Sequence, residues 1–169
     1  MNRRGALLAL LQSGLLLSLG GQLLLERLLL PRGWLRVQPR DPNLPIRGRY
    51  ITLTAEVPVL PSKAANGLER PLQLFVQQGR VVARPLPAAA AVDERGSIQP
   101  SQIIASPDGL FVRLPEPLAF FIPPDVADPS RRPASDPLWV EVTLPADGPP
   151  RPIRLGQQRN GRIVPLALR

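Results

Sequence analysis

An uncharged run of 21 residues close to the N-terminus constrains the fold of this chain more than any other feature. It covers residues 5–25 and consists mainly of leucine, and the apolar pattern resumes as far as Leu30. A helix rises about 1.5 Å per residue, so this length matches a bilayer hydrocarbon core about 30 Å thick. The sequence therefore predicts a transmembrane signal-anchor helix over residues 5–30, preceded by a short tail of residues 1–4.

A cleaved signal peptide is the alternative to this anchor. Arg3 and Arg4 suit its basic start, and residues 18–20 (Ser-Leu-Gly) offer a small-x-small cleavage site. The anchor is favoured because this site lacks the preferred alanine pair and the apolar stretch continues beyond it. Small residues at Gly14, Gly20 and Gly21 let membrane helices approach one another closely, so these three glycines are the predicted docking face for a polytopic membrane partner.

The positive charge is concentrated around the predicted span. Residues 1–40 hold six arginines against Glu26 alone, a net charge of +5, whereas residues 41–169 hold 15 basic and 12 acidic groups, a net charge of only +3. Nucleic-acid binding needs clustered positive charge and stacking aromatics, and aromatic residues make up only 4% of the chain. The sequence therefore predicts no nucleic-acid partner.

Arginines flank the predicted span on both sides, so the positive-inside rule does not decide its orientation. Glu26 and the short N-terminal tail fit a signal-anchor read by the export machinery. We therefore expect the C-terminal domain to lie outside the cytoplasm, in the periplasm or an equivalent lumen of a bacterial envelope.

The chain contains no cysteine and no histidine, which excludes thiol and imidazole catalysis and any disulfide. The usual ligand sets of zinc, haem, iron–sulfur clusters and copper are excluded with them. No cofactor and no metal site is predicted. The 23 prolines and 13 glycines also disfavour long helices outside the anchor.

A juxtamembrane linker is predicted over residues 31–44, because Pro42 and Pro45 disfavour helix and Trp34 suits the membrane–water boundary. The folded domain is then expected over residues 45–169. Strict alternation of apolar and polar residues over residues 50–57 and 138–144 predicts two half-buried strands.

Seven weaker strand candidates complete a meander of short strands. They cover residues 72–77, 80–83, 102–105, 110–114, 118–122, 152–155 and 162–168. Turn residues at Gly79, Gly109, Gly148 and Gly161 separate them. The predicted fold is mostly β, a small antiparallel β-sandwich or barrel after one N-terminal transmembrane helix. A loop is preferred over residues 88–94, and the Pro-rich residues 123–137 are expected to form an exposed, mobile excursion.

Residues 48–55 resemble the signature of the GDYXXLXY protein family. Gly48, Tyr50 and Leu53 match it. Arg49 stands in place of its aspartate and Ala55 in place of its final tyrosine. In physical terms these are fold positions: a glycine free to take positive φ, a tyrosine that buries its ring and bonds through its hydroxyl, and a leucine on the opposite face.

The resemblance extends from about residue 38 to the C-terminus. Asp41, Pro42 and Arg47 are similar to the family's lead-in, and residues 120–123 to its later aromatic segment, with Pro124 where a glutamate is common. Family members are membrane-anchored proteins of unassigned function, often encoded beside a polytopic membrane protein. The resemblance therefore implies an architecture and a membrane partner, and it implies no activity.

Two enzymatic alternatives are weak. A signal-peptidase-like Ser–Lys hydrolase would need a serine between the anchor and the first strand, but residues 31–61 contain none, and Ser62 and Lys63 are neighbours that cannot face one partner. Carboxylate chemistry or hard-cation binding could use Asp93 with Glu94 or Asp125 with Asp128, but adjacent strand residues face opposite ways and arginines follow the second pair. Ser130, Ser135 and Lys63 are interpreted as solvated loop residues.

We therefore expect a single-pass, non-enzymatic accessory or interaction protein that associates with an integral membrane partner. The alternative is an extracytoplasmic binding domain for a small molecule or an envelope polymer, which would use an exposed Trp139 or the loop of residues 123–137. The signal-peptidase-like hydrolase is the second alternative.

Overall fold

The computed structural model describes residues 3–40, 50–60, 71–86, 97–124, 126–133 and 135–168. The chain divides into two compact units, Met1–Leu30 and Pro31–Arg169. The first unit is the helix α1, Arg3–Leu29. Within it, Leu7–Leu29 is long and apolar enough to cross a membrane, and none of this segment is buried. Length and composition thus support the predicted anchor.

The second unit is built from eleven strands in the described part of the chain. They are β1 Arg32–Pro39, β2 Tyr50–Pro58, β3 Leu72–Gln77, β4 Arg80–Pro85, β5 Ser97–Ile98, β6 Gln102–Ser106, β7 Gly109–Arg113, β8 Leu118–Phe121, β9 Leu138–Thr143, β10 Arg151–Arg159 and β11 Arg162–Pro165. The nine predicted strands are all present. The mostly β fold after a single apolar helix is therefore confirmed.

The strands form one sheet with the order β11-β10-β9-β1-β2-β7-β6. β8 pairs with β2, while β4 joins β1 and carries β3 and β5. All pairings between strands are antiparallel except the short contact of β1 with β4. Because the sheet is not closed, the arrangement corresponds to the predicted sandwich and not to a barrel.

The prediction of a linker over residues 31–44 is wrong for the described residues of this range, since most of them belong to β1. β1 is a central strand, with β9 on one edge and β2 and β4 on the other. Gly33, Leu35 and Val37 alternate toward the core, and this period of two was present in the sequence. The folded unit consequently starts at Pro31 and not near Pro45.

Alternate residues of the central strands build the core. Leu35 and Val37 of β1 pack beside Leu53 and Val57 of β2 and Val140 of β9, all nearly inaccessible to solvent. The two hairpins β3–β4 and β10–β11 have two-residue turns whose residues all have positive φ, namely Gln78 with Gly79 and Asn160 with Gly161. Such turns match the right-handed twist of the paired strands.

The described residues of the segment 123–137 contain no strand, but this segment is not the free excursion that was predicted. Arg132 donates to Asp136 at 2.7 Å and to Gln157 of β10 at 3.1 Å. Ser130 is buried and donates to Asp128 at 2.7 Å, so its interpretation as a solvated residue is also wrong. The bond to Gln157 ties the segment to the sheet, and the other two bonds lie within the segment.

Candidate functional site

The face of the sheet opposite the core carries polar and aromatic side chains that lie side by side. In the pairing of β1 with β9, Trp34 is opposite Glu141 and Arg36 is opposite Trp139. Directly paired residues of an antiparallel ladder have Cβ atoms about 4.5–5.5 Å apart. This face therefore brings both tryptophans of the chain and an arginine into one cluster.

A cavity of about 450 Å³ opens on this cluster, and we call it the indole cleft. Its apolar wall consists of Trp34, Pro58, Val81, Phe111, Pro137 and Trp139. Its polar lining consists of Arg36, Arg80, Asp108, Ser135 and Gln158. Small-molecule sites combine aromatic and apolar walls with polar groups, although this lining is more polar than most, and the volume lies within the usual range of about 300–1,000 Å³.

Two buried hydrogen-bond donors of the indole cleft have no acceptor in the described structure. They are Arg36 Nε and Trp139 Nε1, and both are shielded from solvent. Trp139 as a whole is only 8% exposed. A buried donor without a partner costs about 1–3 kcal/mol, and such groups in a native protein call for an explanation. Both donors belong to residues that line the same cavity, although neither atom is itself exposed to it.

The charge of Arg36 is not fully absorbed by the protein. Its Nε lies 4.0 Å from Glu56 Oε2, which is beyond hydrogen-bonding distance. The buried Glu56 instead accepts from Arg113 Nη2 at 3.2 Å and from Gln38 Nε2 at 3.1 Å. Glu56 is thus shared between Arg36 and Arg113, and one carboxylate against two guanidiniums leaves one net positive charge in this group.

Each tryptophan of the indole cleft is covered by an arginine. The guanidinium carbon of Arg80 lies 5.1 Å from the ring centre of Trp139, and that of Arg154 lies 5.8 Å from the ring centre of Trp34. Arg154 also donates to Glu141 at 2.5 Å, which holds it in place. Such cation–π contacts stabilise ring orientation and add positive potential above the indoles.

Glycines make room for this arrangement. A Cβ on Gly156 would lie 2.8 Å from Trp34 Cη2, so the indole packs directly against the β10 backbone. A Cβ on Gly33 would lie 3.1 Å from the backbone nitrogen of Val81, where β1 and β4 meet. Both strands are therefore positioned by close approaches that a larger residue would block.

The two tryptophans are not where the sequence placed them. Trp34 was expected at the membrane–water boundary, but it is a β1 residue packed within the domain. Trp139 was expected to be exposed on a binding surface, but it is buried in the wall of the indole cleft. The alternation along β9 correctly predicted that Trp139 lies on the face of the sheet opposite the core. The pattern of one strand does not reveal that other parts of the domain cover this face too.

The signature residues are only partly described. Gly48 and Arg49 lie outside the described residues. Leu53 is fully buried in the core, on the face opposite to Tyr50, as predicted. Tyr50, however, is 61% exposed and meets the exposed Phe121 edge-to-face at 5.3 Å, so the prediction of a buried ring is wrong.

The predicted docking glycines of α1 lie on two sides of the helix. Successive helical residues are about 100° apart, so seven residues bring Gly21 back to the side of Gly14, whereas Gly20 is rotated by about 100° from Gly21. A Cβ added at any of the three would meet nothing within 4 Å. Gly14 and Gly21 thus share one open strip, and Gly20 does not belong to it.

Most residues of the enzymatic alternatives lie outside the described part of the chain. This applies to Ser62, Lys63, Asp93, Glu94 and Asp125, while the described Asp128 accepts from the backbone and hydroxyl of Ser130 and lies 3.8 Å from Arg131. Among the described residues, no group of three metal-ligating side chains lies together.

Comparison with protein-family models, with curated proteins and with solved structures finds no match to this chain. The resemblance to the GDYXXLXY family therefore stays a prediction. The indole cleft and the helix α1 are the features of the described structure that bear on function.

Proposed function

We propose that this chain is a membrane-anchored binding protein whose β domain holds a small ligand in the indole cleft. The observation that carries the proposal is the pair of buried donors, Arg36 Nε and Trp139 Nε1, without acceptors in the described structure. A ligand that accepts both hydrogen bonds recovers the free energy lost by leaving them unpaired. The anchor α1 keeps the domain at the bilayer, with the domain on the extracytoplasmic side.

The proposed role is binding without catalysis. The described lining of the cleft holds donors, aromatic walls, the hydroxyl of Ser135 and the single carboxylate Asp108, and it contains no histidine, cysteine or lysine to act as a base or a thiol nucleophile. A membrane-tethered protein that binds a ligand without converting it can serve as an accessory component of an envelope system.

Native mass spectrometry of the full chain tests this proposal. The protein is extracted from its own membranes in mild detergent, and the expected result is a retained small-molecule mass. Trp139→Phe keeps an aromatic ring but removes the Nε1 donor, so this variant should lose the bound mass. Arg84→Gln removes an arginine that stacks on Phe75 outside the cleft, and it is the matched control that should keep it.

A negative result needs one further step. If no mass is retained, small-molecule extracts of the same envelope are added and the fluorescence of the two tryptophans is followed. No retained mass and no change of fluorescence with any extract would reject ligand binding by this cleft.

A second function is favoured by Gly14 and Gly21, two small residues that share one side of the apolar helix α1. We propose that this strip packs against a helix of a polytopic membrane protein, which makes the chain an accessory subunit. Crosslinking in intact membranes, followed by pull-down on a C-terminal tag, should recover a polytopic protein.

Substitutions in α1 distinguish a specific helix contact from general membrane affinity. Gly14→Leu or Gly21→Leu should abolish recovery of the partner, whereas Gly20→Leu, on another side of the helix, should leave it unchanged. Equal recovery with all three variants would refute the contact. Protease protection of the tag in the same membranes tests the side on which the domain lies.

A further inference from the structure

Two residues of the indole cleft carry unpaired hydrogen-bond donors, and this restricts the ligand's chemistry. Arg36 Nε and Trp139 Nε1 can donate and cannot accept. We propose, on the basis of the binding function inferred above, that the cleft binds an organic monoanion: a carboxylate attached to a planar apolar body. The two carboxylate oxygens would accept from Arg36 and from Trp139, which are directly paired across β1 and β9.

The charges around the cleft favour one negative charge over two. Arg36 and Arg80 contribute positive charge, and Asp108 on the turn between β6 and β7 contributes one negative charge. Glu56 is shared between Arg36 and Arg113, so these three groups together keep one positive charge. The described lining is therefore left with one net positive charge, which a monoanion neutralises and a dianion exceeds.

The walls determine the rest of the ligand. Two indole rings, Phe111 and two prolines surround the donors, and a planar ring packs on such surfaces in offset or edge-to-face contact. An inorganic ion would leave these walls without a contact. The cavity volume of about 450 Å³ leaves room for a carboxylate that carries one ring or more.

Arg80 is placed to act as a second cation for the bound anion. Its guanidinium lies over the Trp139 ring, and its side chain is exposed and free of the core. The side chain is long enough for its guanidinium to turn from the ring face and add a charge-assisted hydrogen bond to the bound anion. Arg36 Nε and Trp139 Nε1 are shielded from solvent, so binding also requires the side chains around them to shift.

A fluorescence titration of the full chain in detergent tests the proposal. The chain has two tryptophans, and both line the indole cleft, so their emission reports on this site. The probes are benzoate, its neutral isostere benzamide, and inorganic phosphate. Benzoate should give a saturable change with an affinity at least about tenfold higher than that of benzamide, because hydrogen bonds to a charged group are worth about 1.5–3 kcal/mol.

Three variants separate recognition of the charge from general packing. Arg36→Gln should weaken benzoate about tenfold or more and leave benzamide nearly unchanged. Asp108→Asn should tighten benzoate, since it removes a like charge from the rim, and a gain of affinity cannot result from damaged folding. Arg84→Gln, a loss of one arginine outside the cleft, should change nothing.

Four outcomes would overturn the organic monoanion. Equal affinity for benzoate and benzamide, or preference for phosphate, would reject the organic monoanion while a retained mass in the native experiment would still support a binding cleft. No response to any probe would also reject this ligand class. Weakening by Asp108→Asn would contradict the charge argument directly.

Discussion

Replacing Gly156 by alanine probes the packing that shapes the indole cleft. The new Cβ would collide with Trp34 Cζ3 and would lie 2.8 Å from Trp34 Cη2 and 3.1 Å from Ile163 Cγ2, whereas carbon atoms prefer about 3.5–4.0 Å. Gly156 is not among the glycines with positive φ, so the alanine backbone itself is tolerated. Overpacking costs about 1–3 kcal/mol, and the lower unfolded-state entropy of alanine returns about 0.5–1 kcal/mol. We expect a net destabilisation of about 1–2 kcal/mol.

The cause can be isolated by combining this change with Trp34→Phe. Phenylalanine lacks the Cζ3 and Cη2 atoms that the new Cβ would meet, so Gly156→Ala should cost little in that background. Thermal unfolding of the full chain in detergent, followed by far-ultraviolet circular dichroism, measures the four proteins; about 1 kcal/mol corresponds to a few degrees in Tm. A coupling energy of about 1 kcal/mol or more is expected. An equal cost of Gly156→Ala in both backgrounds would refute the packing of Trp34 on β10.

The remaining predictions use the same unfolding assay. Leu53→Ala should lower the free energy of unfolding by about 2–5 kcal/mol, because the leucine side chain is fully buried. Tyr50→Ala on the same strand should lower it by about 1 kcal/mol or less, since only the edge-to-face contact with Phe121 is lost. Similar costs for the two variants would contradict the assigned faces of β2. Gly33→Ala should destabilise the domain by about 1–3 kcal/mol, because the added Cβ would lie 3.1 Å from the backbone nitrogen of Val81. An unchanged Tm would contradict the contact between β1 and β4. Glu56→Gln should destabilise by about 1–3 kcal/mol through loss of the carboxylate that Arg113 and Gln38 share, and a neutral result would show that this network contributes no net stability.

The strands were predictable because each has a short-range pattern. Alternation identified β2 and β9 through residues such as Leu53 and Val140, and turn residues identified the hairpins, where Gly79 and Gly161 indeed have positive φ. The exposure of Tyr50 was not predictable in this way. It depends on how β8 pairs with β2, a contact between residues about 70 positions apart that a single strand does not reveal.

The indole cleft was missed for one structural reason: the strand that forms its floor was assigned to a linker. Residues 32–39 alternate as clearly as any other strand, but their position next to the anchor and before several prolines favoured an unfolded connection. Once β1 is placed between β9 and β2, Arg36 must lie opposite Trp139 and beside Glu56, and the polar face of the sheet gains a floor. A tryptophan assigned to the membrane surface and one assigned to solvent thereby become two walls of the same site. A strand pattern next to an apolar helix is therefore better interpreted as the start of the domain, because only two residues separate the end of α1 from the central strand β1.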